Sequence, residues 1–275
     1  MKKVIINADD FGYSETVNEG IKQGFESGII TSTSLIVNLD GFDNAINTVL
    51  PQIKEIDLGI HLNIIEGKCL SKNKLLCDNN ELFNNSFLKL ILKSENKEFQ
   101  KVIEEEFRLQ IEKALMFGKI SHIDSHVHTH AIPNIFKITQ TLANEYGIKY
   151  IRTQRELPYL VKEKLLDKRF PINVIKNTLL NYYTYLNVKN KANTNDYFIG
   201  VLYTGYMDDN SIIEGLRRIK KENSITEVIF HPACSTNNNE QLDKNRYSEF
   251  LITQNKTLKD RIKNLGFEIS CFSMI

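Results

Sequence analysis

The sequence predicts an α/β fold built on a largely parallel sheet. Short apolar runs alternate with longer stretches of helical periodicity, the pattern of βαβ units. The chain has 275 residues, 41% hydrophobic and 25% charged, a globular composition. A chain of this length buries roughly three quarters of its unfolded surface and needs no disulfide or metal to fold. Such a sheet is either open and doubly wound or closed into a barrel, and both place ligands at the carboxyl ends of the strands.

The elements follow in order. Val4-Ile5-Ile6 reads as a short strand running into polar residues. Residues 14–27 read as a helix with Ser14 as N-cap and Gly28 as its stop. Residues 34–38 form a strand, and a helix near 41–50 is ended by Pro51. Residues 58–62 form the next strand, and the polar region 66–97 carries few regular signals. Val102, Ile103, Phe107, Ile111 and Leu115 place an amphipathic helix over 98–117. A strand over 120–124 follows, then a helix over 133–146 opened by Pro133. Further strands fall at 149–152, 227–230 and 267–271. Lys189 to Asn195 reads as a solvated loop inside one unit, and Asn237-Asn238-Asn239 as another loop. The reading is a single domain over 1–275 with a helical or loop insertion around 155–200.

Composition excludes several classes. Thirty-five Lys and Arg balance 34 Asp and Glu, leaving a net charge of +1. Bulk steering towards nucleic acid or an anionic membrane is therefore absent. No apolar run approaches the ~20 residues of a membrane span. The first ten residues turn acidic too soon for a secretion signal. Cys69, Cys77, Cys234 and Cys271 form no paired metal motif and read as packing or surface residues. The expectation is a soluble cytoplasmic protein with reduced thiols.

Unusual polar residues collect at the strand ends. Asp9 and Asp10 end the first strand, His61 the third, Arg152 a later one and His231 the strand at 227–230. For both adjacent carboxylates to face one site the chain must turn there, and Phe11-Gly12 supplies the turn. His122, Asp124, His126, His128 and His130 occupy every second position, so an extended chain places them on one face. Imidazole with carboxylate suits a divalent ion. Four histidines exceed the ligand shell of one ion, so some must serve as outer supports or face substrate.

Taken together, Asn7-Ala8-Asp9-Asp10-Phe11-Gly12, Thr31-Ser32-Thr33-Ser34, Gly59-Ile60-His61-Leu62, His122-Ile123-Asp124-Ser125-His126 and His231-Pro232-Ala233 resemble the YdjC-type carbohydrate deacetylases, which include chitooligosaccharide deacetylases. The resemblance runs from residue 1 to about 235, and Thr194 to Gly200 also resembles a family segment. It implies an irregular (β/α) barrel related to polysaccharide deacetylases and one divalent ion, Mg2+ in the family, with Zn2+ or another ion as alternatives. By the same resemblance Asp10, His61 and His126 are the metal ligands, Asp9 the general base and His231 the general acid. Where the family often carries three consecutive histidines, this chain has Val127 between His126 and His128.

The implied reaction removes an acetyl group from an N-acetylated sugar or short oligosaccharide. The ion acidifies water and polarises the carbonyl, Asp9 takes a proton and His231 supplies one to the departing amine. Arg152 and His128 are expected at the substrate, with Arg152 alternatively orienting a carboxylate. The alternatives are another metal-dependent phosphoesterase or amidohydrolase, and a non-catalytic sugar-binding protein. With no Trp in the chain, Phe11, Tyr203 and Tyr206 are the expected sugar-stacking rings. No nucleic-acid or membrane partner is expected, and a homodimer is possible for a barrel of this size.

Overall fold

A computed structural model describes residues 1–190, 192–235 and 241–275. Its centre is β1 (Lys2–Phe11), buried from Val4 onward. One edge of β1 pairs with β7 (Ile225–Phe230). The other edge is shared: β8 (Phe267–Ser270) takes residues 2–5 and β2 (Ser32–Leu35) takes residues 7–11. From β2 the sheet continues through β3 (Asp57–Leu62), β4 (His122–Ser125) and β5 (Tyr150–Ile151), and from β7 to β6 (Tyr197–Ile199). Every pairing is parallel. Helices supply the crossovers that parallel pairing demands.

The sheet curls so that β5 approaches β6, yet no ladder joins them. The seam is stitched instead. Ile151 N donates to Asn193 O at 3.0 Å and Phe198 N to Arg155 O at 2.9 Å. Between these, the Asn195 side chain stands in for a strand residue: its Oδ1 accepts from Thr153 N at 2.7 Å and its Nδ2 donates to Thr153 O at 2.8 Å. This is the irregular barrel the sequence leads one to expect.

Helices α1 (Glu15–Glu26), α4 (Lys97–Leu115) and α5 (Pro133–Tyr146) match their sequence signals. Ser14 caps α1 by accepting from Val17 N. Asn96 caps α4, and α5 stops at Gly147, which adopts φ 67°. The helix expected over 41–50 is fragmented into α2 (Phe42–Asn44), a π turn over Ala45–Val49 and a 3-10 turn over Leu50–Gln52. Pro51 lies inside that last turn rather than ending the helix before it. The polar region 66–97 holds α3 (Phe87–Lys93). The stretch read as an insertion contains α6 (Phe170–Asn187) and also β6, a strand of the sheet. The sequence reading missed α7 (Asp209–Arg217), α8 (Gln241–Thr253) and α9 (Lys256–Asn264). The Asn237–Asn239 run lies outside the described residues.

Helix α6 inverts the usual pattern of apolar inside and polar outside. Asn173, Asn177 and Asn187 are buried and donate to Leu202 O, Glu156 O and Ala131 O. Ile172, Ile175, Tyr182 and Tyr185 face outward. The helix therefore serves as a clamp on loop carbonyls around one end of the barrel. Among the described residues, no helix is long and apolar enough to cross a membrane.

At the opposite end the barrel is plugged. Phe272 stacks on the His122 ring at 4.0 Å between centroids. His122 lies flat over Gly59, where an added Cβ would meet three of its ring atoms at 2.3–2.6 Å. Gly59→Ala must displace a ring pinned by Phe272, by Ser34 Oγ at 3.2 Å and by Ser121 Oγ at 2.9 Å. Overpacking of this kind costs about 1–3 kcal/mol. Urea unfolding of Gly59→Ala beside wild type measures it, and a loss under about 0.5 kcal/mol would mean that the ring moves freely.

Candidate active site

Because all strands run parallel, their carboxyl ends share one end of the barrel. A cavity of about 510 Å³ opens there. Asp9, Asp10, His61, His126, His128 and His231 all line it. Apolar walls come from Phe87, Leu179, Leu180, Val201 and Ile229.

The turn that brings both carboxylates to the cavity is made by Asp10 itself. Its φ is 68°, and the register of β1 against β2 slips between Ala8 and Phe11. A non-glycine residue in this region stores strain and is held by its surroundings. The side chain does that holding. Its Oδ1 lies 3.2 Å from His61 Nε2 and 3.0 Å from His126 Nδ1, and its Oδ2 accepts from Arg246 Nη2 at 2.5 Å. Burial alone would raise the Asp10 pKa, but Arg246, His126 and His61 together hold it well below the usual carboxylate range. Gly12 follows with φ 99°, and a Cβ there would strike Ile36 O at 2.4 Å.

Asp9 points to different partners. Arg152 grips it in a fork, Nη1 to Oδ2 at 2.7 Å and Nη2 to Oδ1 at 2.6 Å. Asn7 Nδ2 donates to its Oδ1 at 2.8 Å. His231 Nε2 stands 4.0 Å from its Oδ2.

Arg152 is the hub beneath the cavity. Its side chain is completely buried and touches three carboxylates: Asp9, Asp124 at 2.6 Å and Glu227 at 2.6 and 2.9 Å. Arg152 is not among the residues lining the cavity, and each of its side-chain nitrogens has a carboxylate partner, the arrangement of the alternative in which it orients a carboxylate. Asp124 in turn accepts from Ser34 Oγ at 2.5 Å and faces His61 Nδ1 at 2.7 Å. Burial pushes Glu227 up to about 7 despite Arg152, and its Oε2 has no partner.

The histidine run divides. β4 ends at Ser125, and Val127 and His128 then adopt φ 53° and 56°, so the chain bends instead of staying extended. The expected single face is therefore broken. His126 and His128 reach the cavity, whereas His122 and His130 are core residues. His130 Nδ1 meets Ser125 Oγ at 2.5 Å and its Nε2 meets Arg152 O at 3.0 Å. Burial and the Arg152 charge keep His128 neutral, well below the ordinary imidazole range, and its buried Nδ1 has no partner.

His231 follows β7 directly. Glu249 Oε2 accepts its backbone N–H at 2.6 Å and lies 3.3 Å from its Nδ1. Burial opposes a charge on this imidazole, but Glu249, Asp9 and Asp10 together outweigh it and raise the pKa. Sequence reasoning missed Arg246, Glu249 and Glu227. For Glu227 the signal was a lone acid in an apolar strand. The expected stacking rings are misplaced too: Phe11 and Tyr203 are fully buried, and Tyr206 packs on Tyr203 and Arg169. Tyr13 and Phe87 are the aromatic side chains at the cavity.

Among the described residues, two groupings have ligand atoms close enough to share an ion: Asp10, His61 and His126, and Asp9, His61 and Asp124. The second already holds a cation, since Arg152 Nη2 is 2.6 Å from both Asp9 and Asp124. The first fits a divalent ion by its chemistry. Burial opposes protons on His61 and His126, yet Asp124 and Asp10 lift His61 to about 10 and Asp10 lifts His126 to about 9. The field that favours protons there favours a metal ion in their place.

Removing the hub has a calculable cost. Arg152→Met leaves Asp9 and Glu227 without their guanidinium partner and Asp124 with His61 alone opposite it, and breaking a buried pair from one side costs about 3–5 kcal/mol. Denaturant unfolding at neutral pH reads it. A variant within about 1 kcal/mol of wild type would show that the carboxylates shed their charge at little expense.

The family described as YdjC-like protein matches residues 3–264. A carbohydrate deacetylase of Clostridium beijerinckii is 37% identical over 185 residues, 65% of this chain and 73% of that protein. One of Brevibacillus brevis is 38% identical over 148 residues, and the match spans 57% of that protein's length. A crystal structure from Enterococcus faecalis V583, provisionally described as a cellobiose-phosphate cleavage protein, superposes with a TM-score of 0.76 at 22% identity over 99% of this chain and 98% of that one. That likeness shows the fold: a parallel, curled sheet wrapped by helices. With the family pattern covering nearly its whole length, the chain belongs to the YdjC-like family.

Proposed function

We propose that this protein is a carbohydrate deacetylase that hydrolyses the acetamide of an N-acetylated sugar or short oligosaccharide. The observation that carries the reading is the division of labour between adjacent carboxylates. Asp10 faces two imidazoles, while Asp9 faces the cavity beside His231. Relatives named carbohydrate deacetylases support the substrate class.

Asp10, His61 and His126 would hold a divalent ion, which supplies Lewis-acid activation of water and of the acetyl carbonyl. Two imidazoles and a carboxylate suit Zn2+, and Mg2+ is the ion the family resemblance implies. Asp9, fixed by Arg152 and Asn7, takes a proton from the attacking water. The water oxygen bonds to the carbonyl carbon, the C–N bond breaks, and His231 gives a proton to the departing nitrogen. Glu249 favours the protonated form of His231 that this task needs. His128, neutral and on the cavity wall, would contact the acetylated sugar. Arg152 acts as a positioning residue for Asp9. A phosphoesterase built on two metals is disfavoured, because Arg152 already supplies the positive charge where a second ion would sit.

Acetate release from N-acetylated sugars, with and without a chelator and with Mg2+ or Zn2+ restored, tests the reading. Phosphate release without acetate release would replace it with the phosphoesterase. Asp9→Asn should retain the ion and lose about 10²- to 10⁴-fold in turnover. A variant within a few-fold of wild type would remove Asp9 as the base.

His231→Ala should discriminate by leaving group. It should lose turnover on acetylated amines yet hydrolyse p-nitrophenyl acetate nearly as wild type does, since that leaving group departs without a proton. Equal losses on both would make His231 a substrate contact.

A further inference from the structure

The two imidazoles at the proposed metal site are built alike. His61 turns Nε2 to Asp10 Oδ1 and Nδ1 to the Asp124 carboxylate. His126 turns Nδ1 to the same Asp10 oxygen, and its Nε2 lies 3.0 Å from Glu66 Oε1. Each ring therefore has one nitrogen at the shared centre and the other against an outer carboxylate. A ligating imidazole needs a free lone pair on one nitrogen, and a carboxylate behind the other fixes the tautomer that provides it.

We propose that Glu66 is the outer carboxylate of His126, and that His126 ligates through Nδ1 while His61 ligates through Nε2. This rests on the divalent-ion reading above and assigns Glu66 a positioning role. The two supports differ in exposure. Asp124 is completely buried under Arg152, whereas the Glu66 side chain is 41% exposed and lines the cavity. The backbone at Glu66 is nonetheless fixed. Its carbonyl accepts from Asn63 Nδ2 at 2.7 Å, and its N–H donates to Asn63 Oδ1 at 3.3 Å. Gly67 follows with φ 76°, and a Cβ there would meet Leu39 Cδ2 at 2.3 Å and Asn38 O at 2.7 Å. The turn thus presses against the 38–39 segment and delivers the carboxylate to His126 without help from substrate.

The test uses ion affinity and the imidazole nitrogens rather than turnover. Metal-free wild type, Glu66→Gln and Glu66→Ala are titrated with Zn2+ against a competing chelator. Loss of an outer carboxylate weakens binding about 10- to 100-fold, so Glu66→Ala should fall in that range and Glu66→Gln, which still accepts a hydrogen bond, between it and wild type. In Zn2+-loaded, ¹⁵N-labelled wild type, His126 should show a ligated Nδ1 and a protonated Nε2, and His61 the reverse. Wild type that binds Zn2+ while Glu66→Ala binds it within two-fold overturns the proposal alone. So does His126 ligating through Nε2. Wild type that binds no divalent ion overturns the parent reading and this one with it.

Discussion

One guanidinium holds the barrel's active end together. Three carboxylates from three different strands, Asp9, Asp124 and Glu227, converge where water is excluded, and Arg152 is the charge that lets them do so. Burying charges is costly unless they are paired and fully hydrogen-bonded. Through Asp9 this guanidinium sets the cavity-facing carboxylate. Through Asp124 it sets the orientation of His61, and its own backbone carbonyl receives His130. The sheet geometry explains the convergence: β1, β4 and β7 aim these residues inward, and β5 is so short that Arg152 leaves it at once to reach them.

Around that hub the site is layered by charge. Arg152 sits deepest with its carboxylates. The Asp10, His61 and His126 cluster lies above it, and His231 and Glu66 stand nearest the opening. Adjacent residues Asp9 and Asp10 fall into different layers because Asp10 adopts a left-handed backbone conformation. Regular strand alternation would have sent one of them out of the site. The strain is local and is offset by the ion pairs Asp10 makes with Arg246 and the two histidines.

Much of this was legible in the residues. The alternation of strands and helices forecast the parallel sheet, and polar residues at strand ends marked its working end. What stayed hidden has physical causes. Arg246 and Glu249 lie on α8, whose charged residues show almost no segregation by face, so nothing separated inward charges from solvated ones. Helix α6 was obscured because half of its buried residues are asparagines, which pattern reading assigns to surface. The histidine run misled because alternation implies one face only while the chain stays extended, and two left-handed residues, Val127 and His128, end that. Glu66 sits in a loop region without periodicity, where only the neighbouring glycine hinted at a fixed turn.

The shared edge of β1 has a consequence for biosynthesis. The central strand is made long before the last of its partners, since half of one of its edges is reserved for β8, more than 250 residues later. Until residue 270 has emerged, the stretch Lys2–Ile5 presents unpaired backbone on that side, in the strand at the centre of the sheet. Nascent chains carry this exposed edge while the residues between β1 and β8 are made, a state prone to misassociation. A message stalled shortly before β8 would yield a chain with nearly every active-site residue in hand and an open seam beneath them.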